Sequence, residues 1–429
     1  MPAADVSPLV AHLPLEGGVA VVRDGGRTVL AAGARETLVA DGAAAFRALR
    51  RIERGGFWAG FLAYDLGRAV ERVAPHARDE LHLPDLAFAR FDARLVVEPD
   101  GETRVEGSGP GRRLLEQARW RARRDLRSVR TDGRGRAPAG PPRATIAGAW
   151  HSSLTRRRHA AAVDAILELL TAGECYQVNL TRRLRARCTA DPRALHSAVS
   201  RVNPAPHGAL LAFGDARPGT SIVSASPELF LSVDDRVVTT RPIKGTARDA
   251  DDLVGSAKDR AENVMIVDLA RNDLGRVCVP GSIRVPSLCA VEAHPGLHHL
   301  VSTVRGTLDP GAGLDDLVRA TFPPASVTGA PKPRVLQVIE DLEPVRRGAY
   351  CGALGWIDAD RGRVELAVAI RTLVASGSAL HLGVGGGIVA DSRAGDEWDE
   401  TELKAHRVLS ALARAAPPVD GRRAHGDSG

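Results

Sequence analysis

The run VAVVRDGGRTVLAA, residues 19–32, holds two strand-like segments with a turn at Asp24, Gly25 and Gly26 between them. So short a connection cannot carry a crossover, and the segments it joins must pair antiparallel. The pattern returns in TSIVSASPELFLSVDDRVVTTRPI, residues 220–243, around Asp234 and Asp235. Helical runs lie among these strands without the regular strand–helix–strand alternation that a parallel sheet requires. SSLTRRRHAAAVDAILELLTAGE offers Ser and Thr caps, apolar residues at helical spacing and Gly173 as a stop. Further helices are expected through VGSAKDRAENVMIVDLARND and EWDETELKAHRVLSALAR. The fold class that follows is α+β with antiparallel sheets.

TDGRGRAPAGPPRA, residues 131–144, is rich in Pro, Gly and Arg and has no periodicity, as linkers do not. The expected organisation is an N-terminal subdomain over residues 1–130, a linker over 131–145, a main domain over 146–415 and a frayed tail over 416–429. Hydrophobic residues at 44% and charged residues at 26% describe a soluble globular chain. Aromatics are only 4%, so aliphatic side chains and alanine must fill the core. Cys175, Cys188, Cys278, Cys289 and Cys351 are odd in number and never form C-x-x-C, which fits reduced thiols better than disulfides or zinc. No apolar run nears the roughly 18 residues of a membrane span. With no signal-peptide pattern either, a cytoplasmic location and no membrane partner are expected.

A net charge of +6 raises nucleic acid as a partner. The most basic segment, residues 111–136, has a single aromatic, Trp120, and so no stacking platform. Its Leu114, Leu115, Ala118, Ala122 and Leu126 recur near helical spacing, as on a surface helix with a solvated basic face. No nucleic-acid partner is expected.

Of the 58 Lys and Arg residues, four are lysine: Lys244, Lys258, Lys332 and Lys404. A chain that writes nearly every cation as guanidinium has kept an amine in RPIKGTARD. Arginine cannot lose its proton in a protein, whereas a buried lysine can, and can then attack carbon. Among the acids, Glu262 lies on an apolar helix, and Glu397 and Glu400 share a helix face three residues apart. Carboxylates from two such helices suit Mg2+, which takes few protein oxygens and leaves positions for water and substrate. HLGVGGGIVAD puts Gly383, Gly385, Gly386 and Gly387 at a strand end, where backbone N–H groups can receive a carboxylate. SVTGAPK, residues 326–332, is a second small-residue anion site near a helix start. His298 and His299 are strand neighbours that point to opposite faces. Arg371 is expected inside an apolar strand, the only charge in LAVAIRTLV, and must meet an anion there.

Residues 153–412 carry, in order, AGECYQVNLTRR, SASPELFL, RPIKGTARD, KDRAENVMIVDLARNDLGRV, HHLVST, FPPASVTGAPK, RGAYCGALGW, AIRTL, GGGIVADS and EWDETELKA. This series resembles the chorismate-utilising enzymes. The resemblance implies a sandwich of antiparallel sheets with helices on the outside, and makes residues 146–415 the catalytic domain. Upstream, FLAYDLGRAVE is similar to the aminodeoxychorismate branch. In members that use water as nucleophile a lysine activates it; here the matching residue is Gln177, an amide that cannot act as a base. Anthranilate synthases usually read Pro-Ile-Ala-Gly-Thr where this chain reads Pro-Ile-Lys-Gly-Thr at 242–246, like aminodeoxychorismate synthases. In that branch the lysine, as the neutral amine, attacks C2 of chorismate while the C4 hydroxyl leaves, and ammonia then attacks C4 and expels it.

By this resemblance Lys244 is the nucleophile, Glu228 the general acid, and Glu262 and Glu400 hold Mg2+ with Glu397 beside them. Arg371, Tyr350 and the backbone at Gly385, Gly386 and Gly387 form a carboxylate clamp, and His299 and Thr328 line the ring site. The partners implied are chorismate and a separate glutamine amidotransferase subunit that supplies ammonia. No glutaminase segment is seen in the sequence, so that subunit is expected to be separate, and removal of pyruvate is expected to fall to another enzyme. The competing expectation is an anthranilate synthase component or another ammonia-using chorismate enzyme of secondary metabolism.

Overall fold

The computed structural model describes residues 4–131, 145–294 and 297–415. Two large sheets make up most of it, and their ladders are antiparallel, as the tight turns require. In spatial order the first runs Gly329–Ala330, Gln177–Thr189, Ala379–Ile388, Thr372–Ser376, Thr220–Ser226, His207–Ala212, Val19–Asp24, Arg27–Ala32, Ala93–Val97 and Thr103–Gly107, with Thr145–Ser152 also paired to Gln177–Thr189. The second runs Ile243–Ala247, Leu297–Thr307, Val237–Arg241, Leu229–Asp234, Arg363–Val368, Ala353–Asp358, Phe57–Leu62, Leu86–Phe91 and Glu36–Ala40, with Arg284–His294 on Leu297–Thr307. The first hairpin turns at Gly25 and Gly26, both at positive φ (54° and 96°), the geometry that matches strand twist and that glycine adopts without strain. The second turns at Asp235 and Arg236, one residue later than expected, also at positive φ.

Side chains alternate along each strand, so each sheet feeds two cores. Val19, Val21, Leu30 and Leu210 face outward, onto helices Gly109–Thr131, Pro192–Val202 and Ala394–Ala415. Ala20, Val22, Ala31 and Leu211 face inward, where they meet Ala59, Phe61, Ala87, Ala89 and Ala367 of the second sheet. Alanine is prominent in this middle layer, as scarce aromatics demand. The outer face of the second sheet buries Trp58, Phe88 and Phe230 with Phe46, Ile166, Val267 and Leu336 from its covering helices. Each large side chain fully buried in this way contributes about 1.5–3 kcal/mol. The result is a sandwich with helices on the outside.

The segment before the expected linker builds no sheet of its own: its strands extend both sheets that the later segment begins. The linker itself, apart from residues 131 and 145, and the tail from 416 lie outside the described residues. The Arg-rich helix is Gly109–Thr131, and it packs through Leu115 and Ala118 onto the first sheet, with Ala122 also buried. Leu126, expected on that stripe, is 54% exposed, and Trp120 is 60% exposed. No helix among the described residues is long and apolar enough to cross a membrane. All five cysteines are buried free thiols.

Candidate active site

The chain changes sheets twice at one place. It leaves the first sheet after Ser226 and enters the second at Leu229; it leaves the second after Val368 and re-enters the first at Thr372. The two corners are bonded together: Ser226 Oγ donates to the Val368 carbonyl at 2.6 Å, the Val368 amide to the Glu228 carbonyl at 3.0 Å, and the Ala225 amide to the Arg371 carbonyl at 3.1 Å. Glu228 and Arg371 stand on these corners. Arg371 is therefore not mid-strand, as its apolar neighbours led one to expect, but in the connection, at a φ of 50°. Glu228 is 4% exposed. Burial pushes its carboxyl up to about 7, against the opposing pull of the Ser326 hydroxyl, Lys244, the Ile243 amide and Arg371. Burial lowers Arg371 to about 10, with Arg407 repelling it and Glu228 attracting it.

Lys244 lies on strand Ile243–Ala247, opposite Leu300. A bulge follows at Gly245, at φ 75°, where a Cβ would meet Asp259 and Leu253 at 3.0 Å. The Lys244 side chain is 12% exposed, and its Nζ stands 3.5 Å from Glu262 Oε2. Next to it, Gly387 is bare because a Cβ there would come within 3.4 Å of Lys244 Nζ and 2.5 Å of Gln177 Nε2. Gln177 is fully buried, and neither side-chain polar atom has a hydrogen-bond partner. His299 is buried with Nδ1 2.9 Å from Thr246 Oγ1, and burial, then Arg371 and His294, lower it to about 4, so the ring is neutral. His298 is on the other face, 3.1 Å from the Arg248 carbonyl. The alternation expected of the histidine pair is present.

The glycine strand Ala379–Ile388 outruns its neighbour. Thr372–Ser376 pairs with it only as far as Leu382, whereas Gln177–Thr189 follows it to Ile388. The amides of Asn179 and Thr181 are spent elsewhere, on the Thr328 carbonyl and on Glu343, so Gly387 and Gly385 opposite them form non-hydrogen-bonded pairs. The backbone groups of Gly385 and Gly387 thus face the open edge beside Arg371, and Lys404 Nζ already donates to the Gly385 carbonyl there at 2.8 Å. Gly386 differs. Its amide faces the ladder, and its Cα faces Glu397 and Glu400, whose oxygens would lie 3.1 and 3.8 Å from a Cβ. A Cβ on Gly385 would come 2.5 Å from the Leu180 carbonyl of the paired strand. Gly385→Ala is expected to cost about 1–3 kcal/mol of stability through that overlap, measured as a fall in denaturant midpoint with unchanged slope.

Three of the four lysines are ion-paired with carboxylates of two helices, Ala257–Gly275 and Ala394–Ala415. Lys244 meets Glu262. Lys404 Nζ is 2.6 Å from Glu400 Oε1, and Lys332 Nζ is 2.7 Å from Asp273 Oδ2. Burial opposes ionisation of Glu400, but Lys404, Lys244 and Lys258 outweigh it and hold the carboxyl below the ordinary glutamate range. Burial raises Glu397, with Ser392 opposing and Glu400 adding to the rise. Ser392 Oγ donates to Glu397 Oε1 at 2.6 Å, and Glu397 Oε2 is buried with no partner. No three acidic, His or Cys side chains among the described residues form a ready metal cage. An orphaned buried carboxylate oxygen, with a second carboxylate three residues on, nevertheless fits a hard cation that completes its shell with water and substrate oxygens.

Two expected residues stand apart from this group. The Tyr350 ring lies over Gly383, four residues and roughly 13 Å along the strand from Gly387, and burial and the Cys351 thiol push its hydroxyl well above the ordinary phenol range. Thr328 is fully buried with its hydroxyl donated to the Pro324 carbonyl at 2.9 Å. Ser326, two residues earlier, is the one that reaches Glu228. Ser326 was visible only as part of a small-residue anion site, and Lys404 and Lys258 only as two of the four lysines, none of them with a role. The scarcity of lysine was a signal for the last two.

A family model described as chorismate binding enzyme matches residues 19–410. The chain belongs to the chorismate binding enzyme family. Among curated proteins of the family, aminodeoxychorismate synthase component 1 of Salmonella typhimurium is 39% identical over 363 residues, covering 82% of this chain and 76% of that one. Anthranilate synthase component 1 of Streptomyces coelicolor is 37% identical over 375 residues, covering 83% and 72%. The solved structure of anthranilate synthase component I from Streptococcus pneumoniae superimposes with a TM-score of 0.71 at 26% identity, covering 91% of this chain and 89% of that one. The chorismate-binding enzyme fold is the sandwich described above.

Proposed function

We propose that this chorismate binding enzyme acts as an aminodeoxychorismate synthase component, converting chorismate and ammonia to 4-amino-4-deoxychorismate through an intermediate bound to Lys244. The observation that carries the reading is the pairing of an inward amine with a buried acid: Lys244 is held at 3.5 Å by Glu262, and Glu228, which feels its charge, has its carboxyl at about 7. A carboxyl at that value holds a proton to give at neutral pH and takes one back readily. Lys244 Nζ bonds to C2, the ring double bonds shift, and the C4–O bond breaks as Glu228 protonates the departing oxygen, which leaves as water. Ammonia then bonds to C4, the bonds shift back, the C2–Nζ pair returns to Lys244, and Glu228 recovers a proton from the new amine.

Arg371 and the open-edge amides of Gly385 and Gly387 would receive one substrate carboxylate. Glu262, Glu397 and Glu400 would hold Mg2+, which when bound neutralises a substrate carboxylate. Ammonia would come from a glutamine amidotransferase partner, and the product would serve 4-aminobenzoate and folate formation in the cytoplasm. The second reading, an anthranilate synthase component, is favoured by relatives of that name at nearly equal identity. Incubation with chorismate, Mg2+ and ammonium separates the two. A product that yields 4-aminobenzoate when a lyase is added is expected, and fluorescent anthranilate with pyruvate release would overturn the reading.

A further inference from the structure

Helix Ala257–Gly275 presents Glu262 from a half that fully buries no apolar side chain. Its buried residues are Asn263, Ile266, Val267, Asp273 and Leu274, so over residues 257–265 the single buried side chain is Asn263. Apolar burial fixes the later turns and leaves the first two to polar contacts. This half nonetheless lies close on the strand of Lys244, where a Cβ on Gly245 would meet Asp259 at 3.0 Å. Asn263 is fully buried, with both ends of its amide engaged. Its Nδ2 donates to the Leu300 carbonyl at 3.1 Å. Its Oδ1 accepts from Ser302 Oγ and lies 3.6 Å from Cys289 Sγ. Cys289 sits in a bulge of strand Arg284–His294, at φ 52°, where an amide is lost to the ladder, and that amide donates to Ser302 Oγ at 2.8 Å. Leu300 is the residue in register with Lys244. The network thus ties the helical turn of Glu262 to the strand pair that carries the amine.

We propose that Asn263 is a positioning residue: its bond to Leu300 sets how far Glu262 stands from Lys244, 3.5 Å here, and holds Glu262 where it would meet Mg2+. The inference rests on the aminating reading above, in which both groups act, and adds the side chain that registers one to the other. Asn263 itself takes no chemical step. Its neighbour in the helix cannot shift alone, because backbone hydrogen bonds hold the turn as a unit. A hydrogen-bonded amide suits this task better than an apolar side chain, since its bond fixes distance and angle whereas hydrophobic contact has no direction. With its partners satisfied and water excluded, the network is stiff.

The test is Asn263→Leu, which keeps the branched outline and removes the bond to Leu300. At saturating chorismate, Mg2+ and ammonium, kcat should fall about 10–100-fold, the loss expected when a reacting group is misplaced by about 1 Å. KM for chorismate should stay within about threefold. Mn2+ added alone and followed by its EPR signal should bind about tenfold more weakly. Ser302→Ala is the control for a purely structural role. It orphans the Cys289 amide and should lower the denaturant midpoint, but it leaves the bond from Asn263 to Leu300, so kcat should stay within about threefold. Asn263→Ser, too short to reach Leu300, gives the same readings if the leucine variant does not fold. A folded Asn263 variant with kcat within about threefold of the parent overturns the proposal. So does an unchanged Mn2+ affinity, or a loss of kcat in Ser302→Ala that matches the loss in Asn263→Leu. If the unaltered chain releases anthranilate instead, the aminating reading falls, while the same kcat split read on anthranilate and the Mn2+ affinity still decide the place of Asn263.

Discussion

Lys244→Ala should reduce formation of the aminated product by at least about 10³-fold, since a missing nucleophile removes a covalent step and no neighbour can replace it. The side chain is inward, and its contact is Glu262 at 3.5 Å. Alanine leaves Glu262 without its cation, so chorismate binding also changes, but kcat should fall far more than KM rises. The measurement is single-turnover product formation with chorismate, Mg2+ and ammonium, alongside mass spectrometry of the quenched unaltered chain for an adduct on Lys244. Some anthranilate is expected from the variant, because ammonia entering directly at C2 needs no lysine. Turnover to the 4-amino product at the parental rate would remove Lys244 as nucleophile, whatever the adduct experiment gave.

Glu228→Gln has the second large effect, and it moves activity and stability in opposite directions. An amide cannot donate a proton to the departing hydroxyl, and a loss of 10²–10⁴-fold in kcat is expected for a general acid. In the unaltered chain the rate of the first displacement should fall as pH rises through about 7, where the Glu228 carboxyl gives up its proton. For stability, the folded-state value of about 7 lies above the ordinary 4.5. Between those two values the folded chain binds a proton that the unfolded chain has released, so stability declines with rising pH across that window. Above it the full cost of a buried carboxylate stands, on the order of 3 kcal/mol at about 1.36 kcal/mol per pH unit. Glutamine keeps the shape without the charge. Denaturant unfolding at pH 5 and pH 8 should therefore show Glu228→Gln gaining on the parent at pH 8 and not at pH 5. Equal gains at both pH values would mean that burial does not perturb this carboxyl.

Much of the architecture was legible because it is local. The Gly25-Gly26 turn forces antiparallel pairing of its two strands, and alternation along Val19–Asp24 and Arg27–Ala32 sets which residues face which core. Composition implied the core's filling, since a chain with so few aromatics must pack aliphatic side chains and alanine, and alanine is prominent in the middle layer. The division into an N-terminal subdomain and a catalytic domain was a reading of one Pro/Gly-rich segment, and no local signal tells that strands on either side of such a segment will share two sheets. Arg371 shows a similar limit: flanking apolar residues look alike whether the chain continues a strand or turns a corner between sheets.

The sequence alone determined most residue types of the site: an amine at Lys244 in a chain of arginines, acids at Glu262, Glu397 and Glu400 on helices, and a glycine-rich strand, while Glu228 was named only by resemblance. Only the tertiary structure decided their environments. It buried Glu228 where two corners cross, turned the amides of Gly385 and Gly387 to an open edge and that of Gly386 into a ladder, carried Tyr350 along the strand, and set Lys244, Lys332 and Lys404 against carboxylates. The reason is that proton affinity and hydrogen-bond availability belong to solvent exposure and to neighbours distant in sequence, whereas pattern and turn chemistry are written within a few residues.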